Sequence, residues 1–225
     1  MKKQYFGDNR DLFKYDLICQ IMQSGLVEHF TFIPMLTEPD GTEHGGETDR
    51  NATKAGFKNK ELMDFLNACV RNRKRDIEQI QKFFLKLSIK SDIYEKDKYF
   101  SHRRRQDYFE QIGNELLSDS LIFVDPDNGL EVEKKDEKHL LYKEVVDLYE
   151  RMGRKSILMI FQFFPRENHL EYLHHRCEEL NEKVTGDEPI CIDDNNIIFF
   201  FLTKDKSLEK SLVRIIGVYR DSYSE

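Results

Sequence analysis

Residues 120–129 read SLIFVDPDNG. The run Leu121-Ile122-Phe123-Val124 shows no polar alternation, which predicts a strand covered on both faces. Pro126 has no N–H to give to a strand ladder and disfavours helix at Asp125. Asn128 and Gly129 favour a turn. The strand therefore stops abruptly and leaves Asp125, Asp127 and Asn128 at its C-terminal edge. In open α/β sheets, ligands bind outside that edge.

Upstream, Asp8 is placed to cap a first helix, with Asp11 in its first turn. Leu12, Tyr15, Cys19 and Met22 recur at helical spacing and Gly25 ends the element. A strand is predicted over 30–36, followed by a long polar loop at about 37–60. A single long helix is predicted over 60–87, a short strand over 89–94 and a helix over 101–117. Downstream of the corner, 134–138 reads as a charged loop. A helix carries Leu141, Val145, Leu148 and Met152 up to Gly153. The second apolar strand is 156–164, and a helix with Leu170, Leu173, Cys177, Leu180 and Val184 follows Pro165. The runs 190–192 and 197–202 flank Asp193-Asp194-Asn195-Asn196 and read as a hairpin. Ser207 is the expected cap of a last helix. Strands alternating with helices and ending in a hairpin predict a Rossmann-like three-layer α/β sandwich. Its sheet is mostly parallel, with a C-terminal antiparallel hairpin.

A chain of 225 residues suits one such domain, 1–225. Its charged fraction of 34% fits a solvated surface, and the net charge of −7 argues against general adhesion to nucleic acid. No apolar run approaches the roughly 20 residues of a membrane span. The stretch MKKQYFGDNRD has no signal-peptide core, so a cytoplasmic location is the default expectation. The four cysteines, Cys19, Cys69, Cys177 and Cys191, form no C-x-x-C pair. They are expected as buried thiols acting as small hydrophobes.

Five groups of residues stand out as chemically capable. Asp125, Asp127 and Asn128, with Glu131 and Glu133 beyond, offer acceptors for an amine or ribose, or oxygen ligands for Mg²⁺. The competing reading is a turn whose side chains serve its own backbone. Asp11 and Lys14 share a helix face at i, i+3. Gln162 interrupts the second apolar strand and needs partners if buried, and Arg166 beyond it is suited to a phosphate or carboxylate. Glu38, Asp40, Glu43, His44, Glu47 and Asp49 make an acidic loop whose spacing fits neither an EF-hand nor a zinc motif. The adjacent His174 and His175 point apart on a helix and read as surface groups. Arg71–Arg75 and His102-Arg103-Arg104-Arg105 concentrate positive charge, suited to a phosphate backbone or to a solvated helix face.

The stretches YFGD..DLFKYDL (from Tyr5), FVDPDNGLE (from Phe123) and QFFPR (from Gln162) together resemble a group of uncharacterised prokaryotic proteins of similar length. More distantly, Gly7-Asp8-Asn9 followed by Asp11-Leu12-Phe13-Lys14-Tyr15 is similar to the start of the ribosomal-RNA adenine-N6 methyltransferases. Asp125-Pro126-Asp127-Asn128 stands in the place of their Asp-Pro-Pro-Tyr motif. That resemblance implies S-adenosylmethionine held near Asp11, Lys14 and Glu38. It implies Asp125, with Asp127 and Asn128, facing a target amine. A nucleic acid or nucleotide would then be approached through Gln162, Arg166, Arg103 and Arg104. The chain lacks that family's Gly-rich loop after the first strand and the motif's aromatic residue. Two further expectations stand beside it. One is a Mg²⁺-dependent nuclease or phosphodiesterase using Asp125, Asp127 and Glu131. The other is a non-catalytic protein-binding component of a mobile-element or antiphage defence system.

Overall fold

The computed structural model describes residues 1–39, 41, 47–50 and 55–224. Its core is a six-stranded sheet. The strands are β1 (His29–Ile33), β2 (Ser91–Ile93), β3 (Ser120–Val124), β6 (Ile157–Phe163), β7 (Ile190–Asp193) and β8 (Ile197–Thr203). They lie in the order β2-β1-β3-β6-β8-β7. The first four run parallel, and β8 pairs antiparallel with both β6 and β7. Two short strands unforeseen in the sequence, β4 (Gly129–Leu130) and β5 (His139–Leu140), form a separate parallel pair beyond the corner.

Period-two alternation inside the apolar strands builds the three layers. Leu121 and Phe123 face one core, shared with helices α1 (Asn9–Gln23), α2 (Lys60–Arg71), α3 (Gln79–Lys86) and α7 (Lys206–Ser224). Ile122 and Val124 face the other, shared with α4 (Arg105–Glu110), α5 (Tyr142–Arg151) and α6 (His169–Leu180). All five residues of β3 are buried, as its unbroken apolar run requires.

Several boundaries differ from the sequence reading, each for a local reason. The expected helix over 60–87 is two helices, because the chain turns at 72–78 with Arg73 at φ +54. The Asp76 side chain accepts from Glu78 N at 3.0 Å inside that turn. The expected helix over 101–117 is two short 3-10 turns flanking α4, with Gly113 in extended backbone before the second. Strand β1 ends at Ile33, because Pro34 follows it and Met35 takes φ +38. The cap of α7 is Asp205, whose carboxylate accepts from Ser207 N at 2.9 Å and Leu208 N at 3.1 Å. Of the acidic 37–49 loop, Asp40, Glu43 and His44 lie outside the described residues. Among the described residues, no helix is long and apolar enough to cross a membrane.

The basic run 102–105 divides by burial. Arg103 and Arg104 are exposed, whereas Arg105 is buried. Its guanidinium is paired with Glu144 and donates to the His139 carbonyl. The other Glu144 oxygen accepts from Leu141 N at 2.9 Å, at the start of α5. A single ion pair thus ties α4, β5 and α5 together. Removing one member of a buried pair strands the other charge, so Glu144→Ala should cost about 3–5 kcal/mol of stability in urea unfolding. Arg103→Ala and Arg104→Ala should each stay within about 0.5 kcal/mol of the parent. Equal small losses at all three positions would mean that Arg105 belongs to the solvated run.

Candidate functional site

β2 lies on one side of β1 and β3 on the other. The crossovers diverge there, so the crevice above the C-terminal ends of β1 and β3 is the topological switch point of the sheet. Asp125 stands at that crevice. Its backbone N–H donates to the Ile33 carbonyl at 3.0 Å, which locks the DPDNG corner to the end of β1.

Helix α1 points its N-terminus at the same crevice. Asp8 caps it, accepting from Asp11 N at 3.0 Å. One turn on, an Asp11 oxygen accepts from Gly7 N at 2.8 Å, where Gly7 has φ +86. The other Asp11 oxygen lies 2.8 Å from Lys14 Nζ, and Asp125 Oδ2 lies 2.7 Å from the same nitrogen. The rings of Phe161, Tyr15 and Phe123 stand 5.4, 5.6 and 5.7 Å from that ammonium. Lys14 therefore sits between two carboxylates inside an aromatic cage, with 4% of its surface exposed.

Burial works against the Lys14 charge. The pull of Asp11 and Asp125, with a hydrogen bond to each, outweighs it and holds the ammonium pKa above the ordinary lysine value. Burial raises the Asp125 carboxyl above the usual carboxylate range, against the opposing pull of Lys14. Asp8 is pushed up to about 7, first by burial and then by the neighbouring Asp11 charge.

The corner's other groups are also engaged. Asp127 accepts from Thr37 Oγ1 at 3.1 Å, across the switch point, and lies 3.7 Å from Lys2 Nζ. The Met1 amino group lies 3.3 Å from the Asp125 carbonyl oxygen. Gln162 Oε1 accepts from Leu130 N at 2.7 Å, and its Nε2 donates to the Phe163 carbonyl and Tyr172 OH. Gly129, at φ +85, leaves room for that amide; a Cβ there would sit 2.4 Å from Gln162 Oε1. Gln162 is thus a buried clamp on the corner. Glu131 accepts from Tyr142 N at 2.8 Å and pairs with Lys135.

The crevice itself holds about 50 Å³. That is room for a water or two, against roughly 300–1,000 Å³ for a small-molecule pocket. Met1, Lys2 and Tyr5 complete its lining, with Arg10, whose guanidinium lies 4.8 Å from the Phe163 ring. The structure thus brings together Asp11, Lys14, Asp125 and Asp127. Asn128, Glu38, Arg166, Arg103 and Arg104 are exposed outside the lining, and Gln162 lies beneath it. The contacts that Thr37, Arg10 and residues 1–5 make at the crevice escaped sequence reasoning, because nothing in their local pattern reports a contact made across the fold. Among the described residues, no three His, Cys, Asp or Glu side chains converge as a cation site. No family model, curated protein or solved structure matches the chain.

The Asp8 shift fixes a pH dependence. Unfolded, this carboxyl titrates near 3.8; folded, near 7. Across that window the folded protein keeps a proton that the unfolded chain has released, so stability falls as pH rises and levels off above about 7. Asp8→Asn retains a good cap and removes the titration. In urea unfolding from pH 5 to 8, the variant's advantage should grow to about 3–4 kcal/mol and then flatten. Parallel stability curves would contradict the assignment.

Proposed function

We infer that this chain is a methyltransferase-like protein that binds S-adenosylmethionine at the β1/β3 switch point and acts on a nucleic acid or nucleotide. The observation that carries the reading is the position of Asp125: a carboxylate held at the C-terminal end of the strand beside β1, facing a crevice lined by the first turns of α1. Two further features support it. The strand inserted antiparallel near the C-terminus fits the resemblance to the adenine-N6 methyltransferases. The exposed Arg71, Arg73 and Lys74 lie on the α2–α3 turn, where Arg75 donates to the Gln4 carbonyl at 2.8 Å. Positive charge thus abuts the segment that closes the crevice, where a phosphate backbone would approach.

Chemically, Asp125 would accept from the acceptor amine and orient its lone pair. Lys14 would hold that carboxylate in place, and Asp11 would keep Lys14 charged. Admission of a cofactor requires residues 1–5 to leave the crevice, since the closed form holds only about 50 Å³. That same closure favours a second reading, a catalytically silent partner-binding module in which Lys14 is the permanent occupant of the cage. The Mg²⁺ reading loses one of its three ligands, because the Glu131 carboxylate is committed to Tyr142 N and Lys135.

Calorimetry with S-adenosylmethionine in metal-free buffer separates these readings. The expected result is saturable binding that Lys14→Met abolishes. Asp125→Asn should still bind cofactor while lowering methyl transfer to single-stranded nucleic acid by about 100-fold. Absence of any binding heat, with Asp125→Ala fully active in its biological setting, would favour the silent module. Cleavage that needs Mg²⁺ or Mn²⁺ would favour the nuclease.

A further inference from the structure

The C-terminal half of α1 packs against α7, and an open groove of about 760 Å³ runs between them. It shares no lining residue with the crevice, which holds about 50 Å³. The groove is of the size that accepts a small molecule, roughly 300–1,000 Å³.

Helical periodicity builds its wall on α7. Leu212, Ile216, Tyr219 and Tyr223 recur at spacings of four, three and four and are buried in the core. One position earlier, Ser211, Ile215, Val218 and Ser222 repeat that spacing and line the groove. Val218 is apolar and yet 67% exposed. On the facing wall, Gln20 and Gln23 of α1 are uncharged, and Leu26 beyond the helix adds apolar surface.

Among the described residues, three charged side chains line the groove: Asp16, Lys58 and Arg214. Asp16 is 4% exposed, and both its oxygens are engaged. Oδ1 accepts from Asn59 Nδ2 at 2.7 Å, and Oδ2 accepts from Tyr219 OH at 2.8 Å. Lys58 and Arg214 are exposed, and among the described residues neither is paired with a carboxylate. On a chain of net charge −7, the charge that a ligand can reach in this groove is therefore positive.

We propose that the α1/α7 groove binds a small amphipathic organic acid. Its acid group is drawn by Arg214 and Lys58, and its apolar body lies on Ile215, Val218 and Leu26. An acid without a tail leaves the apolar stripe wet. A tail without an acid leaves the two cations unmatched. The inference does not rest on the reading of the crevice, with which the groove shares no side chain.

The test uses the full chain, with the fluorescent acid 8-anilino-1-naphthalenesulfonate as probe and decanoate below its micelle concentration as competitor. The expected result is saturable dye binding at one equivalent per chain, reversed by decanoate. Acetate and decanol should each compete about tenfold worse or more, since each lacks one of the two contacts. Arg214→Glu and Val218→Asp should each weaken dye binding about tenfold. Lys210→Glu and Val213→Asp, exposed on the same helix but outside the lining, should leave it unchanged. All four positions are solvent-facing, and an unchanged thermal melt by circular dichroism confirms that each variant is folded. Equal dye binding by all four variants would overturn the proposal, as would decanol competing as well as decanoate. Displacement by a glutamate-rich peptide but not by decanoate would assign the groove to an acidic protein partner instead. Loss of the dye site on dimerisation at high protein concentration would assign it to a second copy of the chain; either outcome contradicts the proposal.

Discussion

The ammonium of Lys14, enclosed between the carboxylates of Asp11 and Asp125, is the constraint on which the arrangement around the crevice depends. A charge removed from water must be paired and hydrogen-bonded, or its burial costs several kcal/mol. Here the pairing joins a residue on the first helix to one that lies 111 positions later in the chain. The first turn of α1 has to sit over the end of β3, and the corner has to present its aspartate upward. Phe123 and Phe161 pack beneath the ammonium as neighbours in the sheet. An apolar substitute could fill that space, but it would not fix which residue of α1 meets which residue of the corner.

Around that pair, charge is balanced locally. Asp11 and Asp125 share Lys14, and Asp8 beside them has Arg10 4.0 Å away. Burial first, and then the Asp11 charge, raise the Asp8 carboxyl to about 7, so the folded state keeps a proton there. Arg50 adds support from the long loop, donating to the Gly7 carbonyl at 2.6 Å and the Asp8 carbonyl at 2.7 Å. Residues 1–5 then line the crevice, and their main anchors there are buried. The Met1 amino group lies 3.2 Å from the Met35 carbonyl oxygen and 3.3 Å from that of Asp125, Lys2 Nζ lies 3.7 Å from Asp127, and Thr37 N donates to the Met1 carbonyl at 2.9 Å. Lys3 to Asp76, at 3.0 Å, is a more exposed tie, which contributes little. The same corner that holds Lys14 thus holds the start of the chain.

Much of the frame was legible in the sequence because its signals are local. An unbroken apolar run predicts a covered central strand, and β3 is one. Asp8 reads as a cap, and Asp11 and Lys14 share a face at i, i+3; all three hold in the structure. The misreadings arise where long-range contacts decide. Nothing local separates Arg105 from Arg103 and Arg104 until Glu144 is packed against it. Gln162 was expected to face a substrate, but its buried amide is occupied by the turn containing Gly129. The apolar stripes on either side of 72–78 keep helical spacing, so the turn between α2 and α3 was hidden by periodicity on both flanks.

A double-mutant cycle on Lys14→Met and Asp125→Asn tests the central claim most directly. If the two side chains form one buried unit, each single substitution destabilises the fold and the pair together costs much less than the sum. The coupling read from urea unfolding would then be about 2–3 kcal/mol. Additivity to within about 0.5 kcal/mol would mean that the two residues act separately, and neither the placement of α1 nor the site at the end of β3 could then rest on their contact.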